Sequence, residues 1–462
     1  MEAIRRPRKP AAVHQTDCFV DGLWTPAQSG GTLLTIDPAT EEVIAQVASG
    51  DAADIEAAAE AARNAARSDW SRGIDRRSVL TALAESIEAE IDDLSALESW
   101  DTGHPIREVR SGDMPAAIEY LRRAADYLNA IGVDTQSCFL PVGVAGFLLP
   151  THHAALATVR SIARAVVAGC GAVLKPSEHA PLACLRLVRM AQKAGVPDGV
   201  LNVVPGTGAR AGRALAKCCL VDSLVFQGRA ATGREVCEAA SQNLTPVSLE
   251  LAGSEVHVVL RDADLEEAAR DIASFRHGAG AGRVVTGACC LVERPVQEAF
   301  CKLLSQGLNA LKVGDPLDPS VDVGPLACEG DAVAFVQFTE RRMREGAVCS
   351  AGGKRTGTRG FFVQPTLITD NAGTGAAMAW DVAGPLCTLV PESAEDAIVE
   401  RFNAQRCRSR VIVWTRDQAA AKRLAGSLKA ADVRAGGSGC RAMGADVLAA
   451  DLQPLVVPKH VA

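Results

Sequence analysis

From residue 143 onward the chain alternates short apolar strands with helices. Strand 143–149 leads to helix 155–168, strand 172–175 to helix 181–194, strand 201–204 to helix 209–216 and strand 223–226 to helix 233–241; strands 247–251 and 255–260 follow. Strands separated by whole helices cannot pair as hairpins. The crossovers make them parallel and cover both sheet faces with helices. The expected class is α/β, with ligands binding beyond the carboxyl ends of the strands.

Upstream, 18–24 and 32–47 read as short strands broken at Asp21-Gly22 and Asp37-Pro38, and 51–66, 77–101 and 113–131 have helical spacing. Ser49 or Asp51 can cap the first helix, because a side-chain oxygen there accepts an orphan amide proton. A second α/β stretch, 290–391, holds helices 296–311 and 332–345 and strands near Val348 and Thr366. Helix 395–402, strand 411–414 and helix 417–430 come next. Beyond 432 the pattern fades, leaving 452–457 as the candidate terminal strand.

Composition limits the partners. With 462 residues, 48% of them hydrophobic, the chain can bury the cores of two or three domains. A net charge of −7 offers no basic footprint for nucleic acid. No apolar run reaches the ~18 residues of a membrane helix, so no membrane insertion is expected. The basic N-terminus lacks the apolar stretch of a secretory signal, and 1–15 reads as a disordered basic tail. The 15 cysteines follow no disulfide framework and read as reduced thiols of a cytoplasmic protein. No metal is expected: no Cys/His cluster has zinc spacing, and His152-His153 has no third ligand evident nearby.

Several motifs recur in a recognisable order: Phe19-Val20-Asp21-Gly22, Asp37-Pro38-Ala39-Thr40, Pro141-Val142-Gly143-Val144, Leu174-Lys175-Pro176-Ser177-Glu178, Gly195-Val196-Pro197-Asp198-Gly199, Leu249-Glu250-Leu251-Ala252-Gly253, Val323-Gly324-Pro325-Leu326 and Phe361-Phe362-Val363-Gln364-Pro365-Thr366. Each is weak alone. In this order, along most of the chain, they resemble the NAD(P)-dependent aldehyde dehydrogenase superfamily.

That resemblance implies two Rossmann-like α/β domains with parallel-sheet cores and a reduced oligomerisation extension. It divides the chain into an NAD(P)-binding domain over 16–253, with 127–142 as a shortened oligomerisation segment, a catalytic-type domain over 254–432 and a divergent C-terminal segment over 433–462. The chemistry it implies needs a thiolate to attack the aldehyde, amide donors for the oxyanion, a nicotinamide to take hydride and a glutamate to activate water.

Counting back from Cys290-Leu291-Val292-Glu293, the family's nucleophilic cysteine position holds Val284, which has no lone pair to attack with. Loss of a nucleophile costs on the order of 10⁶ in rate in other covalent hydrolases. Cys289 and Cys290, five and six residues on, are the candidates for rescue. His152 stands where the oxyanion asparagine is expected, either as an alternative N–H donor or as a loop residue with no role. Glu250 matches the general base, or is a structural carboxylate.

On the cofactor side, Lys175, Ser177 and Glu178 match the adenosine-ribose end. Gly228, Arg229 and Gly233 match the pyrophosphate turn at a helix start, where helix-end amides can take phosphate charge. Arg229 replaces a serine there, and either pairs with a phosphate or fills its space. Asp381 replaces the glutamate of the nicotinamide ribose, one methylene shorter. NAD or NADP is the implied cofactor, and Glu178 disfavours a 2′-phosphate by like charge. The expected function is a catalytically inactive aldehyde dehydrogenase-like protein. It would be a structural or regulatory subunit, in a homo-oligomer or with an active homologue. The alternative is an active enzyme with a displaced cysteine.

Overall fold

The computed structural model describes residues 16–68, 70–135, 139–274, 285–371, 382–404, 410–430, 432–436 and 451–458. The basic tail, Val284 and Asp381 lie outside the described residues. Two hairpins open the chain, β1 (Cys18–Val20) with β2 (Leu23–Thr25) and β3 (Thr32–Ile36) with β4 (Val43–Ala48). A helical layer leads to β5 (Phe139–Pro141) and then to β6 (Val144–Leu148), β7 (Gly171–Lys175), β8 (Leu201–Val203), β9 (Ser223–Gly228) and β10 (Val247–Leu251). The first sheet has the order β10-β9-β6-β7-β8-β1-β2, parallel from β10 to β8, with the β1–β2 hairpin antiparallel at one edge.

The second sheet follows directly, with β11 (Gly253–Val259), β12 (Val285–Glu293), β13 (Val348–Ala351), β14 (Thr366–Thr369), β15 (Leu386–Glu392), β16 (Arg410–Trp414) and β17 (Asp432–Ala435). Its order is β13-β14-β15-β12-β11-β16-β17, and only the β13–β14 pair is antiparallel. β18 (Val456–Pro458) pairs with β5 in a separate two-stranded ribbon. The α/β class with two parallel-rich sheets is therefore what the chain adopts.

Local chemistry explains the elements. β6 and β7 are buried at every position, as central parallel strands covered on both faces must be. Asp51 caps the helix Ala52–Arg67 in a capping box with Asp54. The expected helix 77–101 is two helices, Arg76–Ala89 and Ile91–Thr102, because Glu90 leaves the helical region (φ −109°, ψ 21°) with its side chain on Arg186. Gly103, at φ 81°, ends the second in the left-handed conformation that glycine adopts without strain.

The expected helix 209–216 begins as a wide π-type turn, Gly208–Gly212, before Arg213–Lys217. Beyond 432, where the sequence pattern fades, β17 adds a parallel strand beside β16. The terminal strand expected at 452–457 is a 3-10 turn, Gln453–Leu455, followed by β18. Among the described residues no helix is long and apolar enough to cross a membrane.

Candidate active and cofactor site

A cavity of about 560 Å³ opens beyond the carboxyl ends of β6, β7 and β9. Leu149, Thr151, His152, Lys175 and Ser177 line one side, and Gln227, Gly228, Arg229, Thr232 and Asp331 the other. Lys175 is buried at the end of β7, and burial, only partly offset by Glu178, lowers its ammonium to about 8. Its Nζ lies 3.9 Å from Glu178 Oε2, which accepts the Gly208 N–H at 2.5 Å. Ser177 and Thr151 share a hydroxyl hydrogen bond of 2.7 Å. The structure thus brings together the ribose-end residues expected from sequence.

The other end of the cavity is different. Arg229 precedes the helix Ala230–Ala240, whose first turn has no side-chain cap and contributes Thr232 to the cavity lining. Its guanidinium is paired with Asp331, in the first turn of the helix Glu329–Arg344. A cation that could meet a phosphate is thereby committed to a carboxylate across the mouth. Gln227 Nε2, buried in the lining, has no partner among the described residues. The adenosine end fits a dinucleotide, with a buried cation and an anchored carboxylate. The phosphate end is crossed by an ion pair.

Glu250 does not line the cavity. It faces the helix Ala154–Ala168, where Arg164 Nη1 donates to its Oε1 at 2.5 Å and Arg160 lies 3.7 Å from its Oε2. Both arginines also hold Asp451, at 2.7 Å from Arg160 and 2.9 Å from Arg164, and Tyr120 donates to Asp451 at 2.9 Å. Two cations and two anions form a closed, nearly buried lattice. Burial, reinforced by the Asp451 charge, pushes the Tyr120 hydroxyl up to about 12, so it stays protonated as a donor.

His152 lines the cavity, and burial holds its imidazole down to about 4, so it is neutral at pH 7. Cys289 and Cys290 are fully buried in β12, pointing into separate apolar clusters on opposite sheet faces. Burial pushes Cys289 up to about 11 and Cys290 well above the usual thiol range. Neither reaches the cavity.

Comparison with known proteins settles the family. The profile described as "Aldehyde dehydrogenase family" matches residues 24–442. The chain belongs to the aldehyde dehydrogenase family. It is 33% identical over 432 residues to "Aldehyde dehydrogenase 1" of Tanacetum cinerariifolium, covering 90% of this chain and 86% of that one. It is also 33% identical to "Hydroxyisobutyraldehyde dehydrogenase" of Mycolicibacterium austroafricanum, over 86% and 81% of the two chains. The structure of an NAD+ complex of aldehyde dehydrogenase from Bacillus cereus superposes with a TM-score of 0.84 at 30% identity, covering 92% and 89% of the chains.

Within this family fold, sequence reasoning missed the residues that hold Glu250. Arg160 and Arg164 sit four apart in an otherwise apolar helix, so they share a face, and two cations on a buried face were the available signal. Their partner Asp451 is too distant in sequence to be found by spacing. The expectation of no third ligand near His152-His153 is corrected. His153 Nδ1 lies 2.8 Å and His104 Nδ1 3.2 Å from Asp113 Oδ2. The helical layer folds residues some 40 to 50 positions upstream against His153, which local spacing cannot reveal.

Proposed function

We propose that this chain is a catalytically silent member of the aldehyde dehydrogenase family, serving as a structural or regulatory subunit in a homo-oligomer or beside an active homologue. The observation that carries the proposal is the Arg164 hold on Glu250 at 2.5 Å. A general base must accept a proton from water, and this carboxylate is turned to two guanidiniums instead. Val284 at the nucleophile position supports the same reading, because no thioester forms for Glu250 to hydrolyse. Glu250, His152 and Val284 are then the remnants of a site whose scaffold persists.

NAD is retained in this proposal as a ligand. Lys175, Ser177 and Glu178 would hold the adenosine ribose, and the start of the helix Ala230–Ala240 would face the phosphates, with Gly228 and Gly233 in the turn. A bound nicotinamide supplies a hydride acceptor, and Asp381 would stand at its ribose. Glu178, held between the Gly208 amide and Lys175, favours NAD over NADP by repelling a 2′-phosphate. The free thiols among the described residues suit a cytoplasmic location.

The test is NADH formation by the purified chain with aliphatic and aromatic aldehydes. No turnover above the background of Glu250→Ala is expected. Turnover that Glu250→Ala abolishes overturns the proposal. An aldehyde-mimicking electrophile mapped to Cys289 or Cys290 would support the displaced-cysteine enzyme instead.

A further inference from the structure

We propose that His104, Asp113, His153 and Glu98 form a binding site for a first-row divalent cation, zinc above others. The residues come from four places: Glu98 from within the helix Ile91–Thr102, His104 from the loop after it, Asp113 as the last residue of the π-type turn Val109–Asp113, and His153 as the residue preceding the helix Ala154–Ala168. Both imidazole Nδ1 atoms converge on Asp113 Oδ2, at 2.8 Å from His153 and 3.2 Å from His104, and the three ligand atoms lie within 4.8 Å of one another. The rings meet edge to face, with centroids 4.9 Å apart and planes at 88°, so their nitrogens approach one point from different directions.

A second observation is independent of the histidines. Asp113 is 1% exposed and Glu98 fully buried, yet Asp113 Oδ1 and Glu98 Oε1 have no hydrogen-bond partner among the described residues. Glu98 Oε2 accepts the Ala155 N–H at 3.2 Å, and its carboxylate is close enough to interact electrostatically with both Asp113 and His153. Buried polar oxygens without partners are costly, and neighbouring buried carboxylates more so. A single imidazolium neutralises one of them. A divalent cation neutralises both and gives Glu98 Oε1 and one oxygen of Asp113 a ligand bond.

The donor set decides the ion. Two imidazoles with two carboxylate oxygens suit zinc, whereas magnesium and calcium take oxygen ligands. Tetrahedral zinc with bonds of about 2.0–2.2 Å spaces its ligands by about 3.3–3.6 Å, so the His153–Asp113 and His104–Asp113 pairs, at 2.8 and 3.2 Å, must open while the two imidazole nitrogens, within 4.8 Å of each other, settle to that spacing. Glu98 would join the three converging ligand atoms as the fourth donor when the ion binds, which leaves no open position and makes the site structural. It would pin three segments together directly behind the loop that carries His152.

The test uses the full chain, free of any affinity tag, stripped with chelator and titrated with zinc sulfate. One zinc per chain is expected. Cobalt substitution should give visible ligand-field bands without the ultraviolet charge-transfer band of thiolate ligation, which separates this site from the cysteines. His104→Ala is the decisive variant, because His104 is partly exposed and its loss leaves the packing intact, as its metal-free melting temperature will show. It should lose more than the roughly 10–100-fold in zinc affinity that outer-shell changes cost. Glu98→Gln should also weaken binding. A chain that stays metal-free in equimolar zinc overturns the proposal. So does zinc bound equally well by His104→Ala, or a cobalt spectrum with thiolate ligation.

Discussion

Arg164 Nη1 and Glu250 Oε1 meet at 2.5 Å, joining the helix Ala154–Ala168 to β10. The Arg164 side chain is only 1% exposed, and it also meets Asp451 at 2.9 Å. Removing the arginine leaves two acidic groups facing each other with Arg160 alone to offset them. Arg164→Met is expected to lower stability by about 3–5 kcal/mol, read from urea unfolding. Glu250→Gln should cost less, because Glu250 is partly solvated. The double variant should show a coupling of about 0.5–3 kcal/mol. Additive effects would show that the pair is not an energetic unit.

Cys289 and Cys290 bear on the enzyme reading by their burial. A thiol reacts as the thiolate and must be reached by the reagent. Both sit in the interior of β12, with their proton affinity raised by desolvation. Under native conditions Cys219, which is exposed, should react with a thiol reagent first among the described cysteines, and Cys289 and Cys290 only on unfolding. Peptide mapping after a short pulse checks this. Native modification of either β12 thiol at the rate of Cys219 would revive the displaced nucleophile.

Asp101 supplies a pH dependence. It is fully buried, with Oδ1 accepting from Thr35 Oγ1 and Oδ2 from the Leu182 N–H, both at 2.8 Å. Burial outweighs these bonds and raises its carboxyl from 3.8 to about 7. Since the folded state holds this proton more tightly than the unfolded state, its contribution is complete below pH 3.8. It is then lost progressively as pH rises toward about 7. Asp101→Asn keeps an acceptor for Leu182 and removes the titration. Across pH 4 to 7, wild-type melting temperature should therefore fall relative to Asp101→Asn, with the difference levelling off above about 7. Parallel profiles over that range would disprove the assignment.

The sequence made the sheets legible because buried parallel strands announce themselves as apolar runs between helices. The Lys175–Glu178 end of the cavity was legible for a related reason, since Lys175 ends β7, Glu178 comes three residues later and their geometry is local. The lattice around Glu250 and the His104–Asp113–His153 cluster were not. Asp451 reaches Arg160 across 291 positions, and such pairings are fixed by packing of the whole chain rather than by any local period. The split at Glu90 was hidden for the same reason, because its partner Arg186 lies in another helix. The expectation for Val284 rests on register alone, counted back from Cys290-Leu291-Val292-Glu293, and Val284 lies outside the described residues.

Arg229 and Asp331 give the cofactor prediction its sign. If the guanidinium were poised for a phosphate, losing it would weaken NAD binding. In the structure it is paired with Asp331 instead, and the phosphate must compete with that carboxylate. Asp331→Asn removes the competing anion and leaves Arg229 free to make a charge-assisted bond. NAD affinity measured by calorimetry should then tighten by about tenfold, equivalent to about 1.4 kcal/mol. Arg229→Ser removes the cation and its bulk together, so affinity should rise less than in Asp331→Asn. The double variant should resemble Arg229→Ser, because the effect of Asp331 acts through the arginine. Weaker binding in Asp331→Asn than in the wild type would mean that this carboxylate itself holds the dinucleotide, and that the ion pair is a support for the cofactor rather than a barrier to it.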